Sequence, residues 1–500
     1  MNYSIYREKM RQIADVNYAL ALMFWDMETQ MPSKGAGIRA QQIGTVSGVV
    51  HKMFVNDEMC SLLKKLLEDK NLSEKQRKNI ELTFKDFNKK KKYPAEFVET
   101  ISKTTSEASV IWEKARKQKD FKLFQPHLEK IIELKRQECE LLGYDDHPYN
   151  ALLDNFEPDA KVKDLDVLFA DVRKQMVEFV QMIASQSAID NSFLKTIYSH
   201  QKQWDFGIDM LKQMGYDFEA GRQDLSAHPF TRNFNSCDVR ITTRINENDF
   251  TSMLWSCIHE GGHALYEQGL DAEEYGLPSG HSISLGIHES QSRLWENHVG
   301  RSLSYWKANY GTLQKYFPQN LSNISLKEFY NSINRISPSL IRVEADELTY
   351  HSHILIRYEI EKGLMEGNIK VKDLPEIWNQ KYKEYLDIEV PNDGVGVLQD
   401  VHWSHGLIGY FPTYSLGSFY AAQFFAKACE ELPELEKNIS SGNMMPLLNW
   451  LREKIHKHGR LYKAEELCKK ITGKKLEFSY FMAYVEKKYN KIYNLSVPVS

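Results

Sequence analysis

The chain has 500 residues, of which 42% are hydrophobic and 26% charged, and a formal net charge of −4. That is the composition of a globular protein with enough apolar mass for a large core, and it excludes low-complexity and fibrous classes. The near-neutral balance gives no general case for binding nucleic acid or a membrane surface.

The N-terminal Met1–Lys9 lacks the apolar core of a secretory signal, and no run reaches the roughly 20 apolar residues of a membrane span. The six cysteines are scattered with no C-x-x-C, which predicts reduced thiols and suits a cytoplasmic location. From residue 1 to about 220 the pattern predicts helix after helix. Ser73-Glu74-Lys75-Gln76 reads as a capping box. Pro94 and Pro126 are expected in first turns, and Gly143 at a helix end. Lys89 to Lys92 reads as a solvated helix end, because it lacks the interleaved aromatics of a nucleic-acid site. Proline is sparse and no linker or repeat is visible, so one large domain over residues 1–500 is expected.

The clearest strand is Asp238 to Ile245, where Val239, Ile241, Thr243 and Ile245 alternate with Arg240, Thr242 and Arg244. A short sheet there could line a cleft and pair with an extended peptide.

The next stretch, Cys257-Ile258-His259-Glu260-Gly261-Gly262-His263-Ala264, is H-E-x-x-H, a metalloprotease signature. Apolar positions from Phe250 to Leu265 recur at helical spacing, with Asn248 or Asp249 as N-cap and Gly269 as stop. On a helix His259 and His263 lie on one face, where two imidazoles can hold one Zn²⁺ and leave positions open. Glu260 is placed to act as general base on a water the metal has acidified. Gly261 and Gly262 cost the helix ~1 kcal/mol each relative to Ala, which makes sense where another backbone or a substrate approaches closely. The best third ligand is Glu289 on a second predicted helix, Gly286 to Asn297; His288 is the rival.

After residue 300 the pattern is helical, broken at Glu389–Gly396 and resuming from Tyr420 to about 492. Three further polar clusters stand out: His228-Pro229-Phe230; Ile341-Arg342-Val343-Glu344-Ala345-Asp346, read as helical; and Gly396 to Gly406, which contains Gln399, Asp400, His402 and Trp403. Arg342 on its own also reads as a buried ion pair with Glu344, Asp346 or another acid.

Together these segments resemble the M32 metallocarboxypeptidases over essentially the whole chain. The resemblance rests on Trp25-Asp26 with Met31-Pro32, on Tyr149 to Asp154, and on six motifs in order: H-P-F at 228–230, D-x-R-x-T at 238–242, H-E-x-x-H, His288-Glu289-Ser290-Gln291, I-R-x-x-A-D at 341–346, and G-x-x-Q-D-x-H-W at 396–403. It implies a mainly α, cleft-bearing metallopeptidase fold similar to neurolysin and angiotensin-converting enzyme, with a small sheet beside the active site. It further implies a cytoplasmic homodimer that releases single C-terminal residues with broad specificity and disfavours C-terminal proline. The metal is expected to be zinc, or cobalt, one ion per chain, on His259, His263 and Glu289 with Glu260 as base. Arg342 and His402 become the expected anchors of the substrate carboxylate, with Arg240 as a further candidate; an Arg fork matches a carboxylate bidentately. Tyr410, Tyr414 and His228 are expected to help with substrate or oxyanion. The rival reading on the same scaffold is a dipeptidyl carboxypeptidase or an oligoendopeptidase. A catalytically silent helical binding protein is the other class, and the intact His259, Glu260, His263 and Glu289 argue against it.

Overall fold

The computed structural model describes residues 2–495. Helices dominate, with one three-stranded sheet, and the chain divides into two compact units. The first gathers the chain up to Lys91 with Asp190–Ile333 and Gly417–Tyr480; the second gathers Lys92–Ile189, Asn334–Leu416 and the chain from Phe481. Among the described residues no helix is long and apolar enough to cross a membrane.

In the first unit, helices Asn2–Thr29, Ala36–Phe54, Asp57–Leu67 and Glu74–Lys91 bring Tyr6, Phe54, Met59, Leu62, Leu63, Leu66, Ile80 and Phe87 into one core. Asn56 caps the third of these by accepting from the Met59 N–H at 2.8 Å. The capping box at Ser73 forms as expected: Ser73 N–H donates to Gln76 Oε1 at 3.0 Å, and Gln76 N–H to Ser73 Oγ at 3.3 Å.

The sheet has the order β1 (Gly221–Leu225), β3 (Asp238–Thr243), β2 (Thr231–Asn235), with β1 parallel and β2 antiparallel to β3. β3 is the strand read from the sequence, ending two residues early. Its period of two sets the two faces of the sheet. On one face, Gln223, Ile241 and Thr231 are paired in register and lie against helix Phe250–Gln268, where Thr243 Oγ1 meets Ser256 Oγ at 2.7 Å. On the other face, Arg222, Arg240 and Arg232 are paired in register, and Trp25 of the first helix lies against the first two.

The second unit centres on helix Thr349–Glu366, which is buried along nearly its whole length. On it the Glu361 carboxylate accepts from Tyr149 OH at 2.5 Å, Trp403 Nε1 at 2.8 Å and Gly409 N–H at 2.8 Å. Burial pushes the Glu361 carboxyl up to about 7, against those three donors, which favour its charged form.

Three expectations are corrected here. Ile341–Asp346 is not helical: Arg342–Glu344 is a single 3-10 turn, and the helix begins at Thr349. Asp346 instead caps that helix, accepting from the N–H groups of Leu348 and Thr349 at 2.9 Å each and from Thr349 Oγ1 at 2.8 Å. Pro126 lies inside helix Phe121–Leu142 rather than in its first turn, because Asp120 caps the helix at Lys122 N–H at 3.0 Å and so starts it earlier. Gly143 follows its helix as expected, whereas Pro94 is the N-cap of helix Ala95–Gln118, one position before the first turn.

Candidate metal centre

Helix Phe250–Gln268 starts where Asp249 accepts from Thr251 N–H at 3.1 Å, and Gly269 follows its last turn. Two helical positions four apart put the His259 and His263 rings side by side, with centroids 4.9 Å apart. The two motif glycines have different neighbours. A side chain at Gly261 would meet the Leu211 and Met214 side chains; one at Gly262 would meet the backbone of Gln291 and Ser292. Gly262 therefore sets how closely helix Leu285–Arg293 approaches.

That second helix is capped by Ser284 Oγ, which accepts from Ile287 N–H at 3.1 Å. It runs into a π-helical stretch, Leu294–Gly300. π-Helical turns often mark functional sites. Here the helix brings Glu289 Oε2 to 3.5 Å from His263 Nε2 and 3.7 Å from His259 Nε2. Ligand atoms of these three residues lie within 4.8 Å of one another, a spacing that could hold a metal ion. His288, the rival ligand, points elsewhere: its Nε2 meets Glu267 Oε1 at 2.8 Å, and its ring stacks on His263 at a centroid distance of 4.4 Å.

The outer ring nitrogens decide what the inner ones can do. His263 Nδ1 faces the His288 carbonyl at 3.0 Å, an oxygen that only accepts, so Nδ1 carries the hydrogen and Nε2 a lone pair. His259 Nδ1 likewise meets Glu296 Oε2 at 2.8 Å. The two Nε2 atoms and a carboxylate oxygen thus converge. Such a donor set fits a divalent cation, with each outer partner fixing its ring.

The charges agree. Burial alone would raise the Glu289 carboxyl, but Arg293, His259 and His263 hold it well below the usual carboxylate range. Burial would also raise Glu296; Arg293 and His259 bring it down to about 2. Burial, with His288 nearby, pushes the His263 imidazole down to about 3, which keeps it neutral. Glu260 is buried at 7% exposure, and burial raises its carboxyl. Its Oε2 accepts from Thr231 Oγ1 on β2 at 2.7 Å.

A second cluster lies within the other unit. The Arg342 guanidinium is buried: Nε and Nη2 meet Asp400 Oδ1 at 3.0 and 2.9 Å, and Nη1 donates to Tyr350 OH at 3.2 Å. Its acid partner is therefore Asp400, not Glu344 or Asp346. Arg357 grips the other Asp400 oxygen at 2.5 Å. His402 Nε2 meets Tyr414 OH at 3.2 Å, its ring packs on Tyr410 at 5.3 Å, and its buried Nδ1 has no hydrogen-bond partner among the described residues. Burial and Arg342 push the His402 imidazole down to about 3. The structure thus gathers Arg342, His402, Tyr410 and Tyr414. Arg240 is not among them: it is bidentate on Asp238 at 2.8 Å, stacked on Trp25 and Phe234, on the sheet face away from Glu260. His228 is exposed, and its carbonyl accepts from Ser226 Oγ at 2.7 Å.

With both clusters placed, the chain was compared with known proteins. It matches the Carboxypeptidase Taq (M32) metallopeptidase family over residues 5–489. The chain belongs to the M32 metallopeptidase family. It is 42% identical to carboxypeptidase 1 of Bacillus subtilis, over 97% of each chain. An M32 carboxypeptidase structure from Deinococcus radiodurans superposes with a TM-score of 0.97 at 36% identity, covering 99% of this chain and 100% of that one. A Pyrococcus furiosus carboxypeptidase structure gives 0.95 at 36% identity, covering 98% and 99%. The protein is thus a metallocarboxypeptidase of the mainly α metallopeptidase fold, acting on peptides with the help of a divalent metal.

Sequence reasoning about this M32 enzyme missed the partners around the centre: Glu296 behind His259, Arg293 between Glu289 and Glu296, Thr231 on Glu260, and Glu267 on His288. The available signal was the spacing of Glu289, Arg293 and Glu296, which puts two acids and a base on one helical face.

Proposed function

We propose that the enzyme releases single amino acids from free peptide C-termini, with broad side-chain tolerance and C-terminal proline disfavoured. It holds one Zn²⁺, replaceable by Co²⁺, on His259, His263 and Glu289. The observation that carries this reading is the convergence of His259 Nε2, His263 Nε2 and Glu289 Oε2. A bound Zn²⁺ supplies Lewis acidity and lowers the pKa of a water to about 7. Glu260 takes the proton of the attacking water and passes it to the departing amine. Thr231 engages Oε2 of Glu260, so the other oxygen is the proton acceptor. Arg342, with His402 beside it, binds the substrate carboxylate. Tyr410 and Tyr414 donate to substrate oxygens. The pairing of Arg240 with Asp238 and the exposure of His228 give these two the lesser part in substrate binding.

The test is digestion of one peptide prepared with a free and with an amidated C-terminus, followed by mass spectrometry with and without added metal. Metal-dependent single-residue steps on the free acid alone are expected. Dipeptide steps, or equal cleavage of the amide, would replace this reading with a dipeptidyl carboxypeptidase or an oligoendopeptidase. Family membership also supports a cytoplasmic homodimer built as one peptidase domain over residues 1–500; sedimentation of the purified protein tests the dimer.

A further inference from the structure

The two oxygens of Glu289 have different surroundings. Oε2 faces His259 Nε2 and His263 Nε2 at 3.7 and 3.5 Å. Oε1 accepts from Arg293 Nε at 2.7 Å. Arg293 is itself fixed at its far end, where Nη1 donates to Glu296 Oε2 at 3.1 Å, the same oxygen that meets His259 Nδ1. A planar guanidinium bonded through Nε to one carboxylate and through Nη1 to another has little freedom to turn. The Glu289 stem is confined as well: a side chain at Gly417 would lie 2.5 Å from its Cβ and Cγ, so the stem fills the space that glycine leaves. The nearby Ser292 Oγ, 3.3 Å from Oε2, donates to the Glu289 carbonyl at 2.8 Å. What remains to Glu289 is rotation about its last bond, and that rotation would have to pull Oε1 off Arg293.

We infer that Arg293 is a positioning residue that sets the denticity of Glu289: with Oε1 held, Glu289 offers Oε2 alone to the metal. Two imidazoles and one oxygen make three protein donors and leave a tetrahedral centre one open position; a second carboxylate oxygen would compete for it. The inference rests on the metal reading above.

The test compares the Zn²⁺- and Co²⁺-loaded wild type with Arg293→Lys and Arg293→Met. A crystal of the loaded wild type is expected to show Oε2 at a bonding distance of about 2.0–2.2 Å and Oε1 still on Arg293. The visible spectrum of the Co²⁺ enzyme should weaken in Arg293→Met as the coordination number rises by one, while Arg293→Lys, which keeps a charged donor, stays close to wild type. Both oxygens at bonding distance in wild type would overturn the inference and leave the ligand assignment standing. An Arg293→Met spectrum equal to wild type would also overturn it. If Arg293→Met does not fold, the wild-type crystal decides alone. A metal located away from His259, His263 and Glu289 would reject the site reading itself, and this inference with it.

Discussion

Replacing Gly262 by Ala sets two known effects against each other. Alanine should favour the helix by ~1 kcal/mol over glycine. But the new Cβ would lie 2.7 Å from Ser292 Cα and 2.8 Å from the Gln291 carbonyl oxygen, both backbone atoms of the helix that carries Glu289. Carbon atoms prefer ~3.5–4.0 Å, so the two helices must part by about 1 Å. Overpacking of this kind costs ~1–3 kcal/mol, so the net effect on the apoprotein is a loss of up to ~2 kcal/mol. The metal site responds more strongly, because ligand distances are tolerated only within about 0.2 Å. Metal affinity should fall by at least ~10–100-fold, the range found when groups supporting ligands are lost. The assay is chelator competition for Zn²⁺, with thermal unfolding of the apoprotein in parallel. Gly261→Ala is the control, because its Cβ would meet Leu211 Cδ2 at 2.7 Å and Met214 Cε at 3.1 Å, ends of side chains that can move. A Gly262→Ala protein with a higher melting temperature and wild-type metal affinity would refute the close-approach argument.

Three further outcomes are expected. Glu260→Gln should keep its metal and lose ~10²–10⁴-fold in kcat, as measured on a free-acid peptide; a loss of only a few-fold would remove the general-base role. Arg342→Lys keeps the charge but not the fork, and should cut the preference for free-acid over amidated peptides by about ten- to a hundredfold; an unchanged ratio of kcat/KM values in a folded, metal-loaded variant would move the anchor to His402. Glu361, with its carboxyl raised from 4.5 to about 7, gives a stability contribution that is whole below pH 4.5 and is lost as pH rises through about 7. Urea unfolding of the apoprotein should therefore show a decline of roughly 3 kcal/mol from this group, and Glu361→Gln should flatten it; an equal slope in both proteins would reject the assignment.

How much of this was readable in advance depended on whether a local pattern carried it. His259, His263 and Glu260 were legible because helical spacing alone puts the two imidazoles on one face. The glycine pair was legible as a close approach, though not which glycine met backbone. Strand β3 alternates apolar and polar residues; β1 (Gly-Arg-Gln-Asp-Leu) and β2 (Thr-Arg-Asn-Phe-Asn) do not. They are strands because β3 offers hydrogen-bond partners on both sides, which propensity cannot register. Thr231, which engages Glu260, was hidden for the same reason. The division into two units was not legible as a linker: two of its boundaries, at 416/417 and 480/481, fall inside helices Pro412–Glu431 and Ser479–Tyr493, so Pro412, Ser415, Gly417 and Ser418 at the first of them belong to a helix and not to a loop.

The pairing of Arg342 shows why a nearby acid in sequence is a poor guide to a buried ion pair. Asp346 is four residues away, but its oxygens are used on backbone N–H groups at the start of helix Thr349–Glu366. Glu344 is exposed. Asp400, distant in sequence, takes the role and is shared by Arg342 and Arg357. Burial alone would raise Asp400; the two guanidiniums hold it far below the carboxylate range, so it is charged. His402 beside it is neutral. Two cations against one anion leave these four side chains with one net positive charge, in a setting where an unbalanced charge is costly. An incoming carboxylate would bring that sum to zero. The Asp400 pairing therefore does not count against an anchoring role for Arg342: it fixes the guanidinium, while the excess charge comes from Arg357 joining the same acid. Asp400→Asn tests this separation of roles. It should disorder Arg342 and weaken binding of free-acid peptides, even though it raises the local positive charge by one. Stronger binding in that variant would mean that charge alone, not the held fork, recognises the C-terminus.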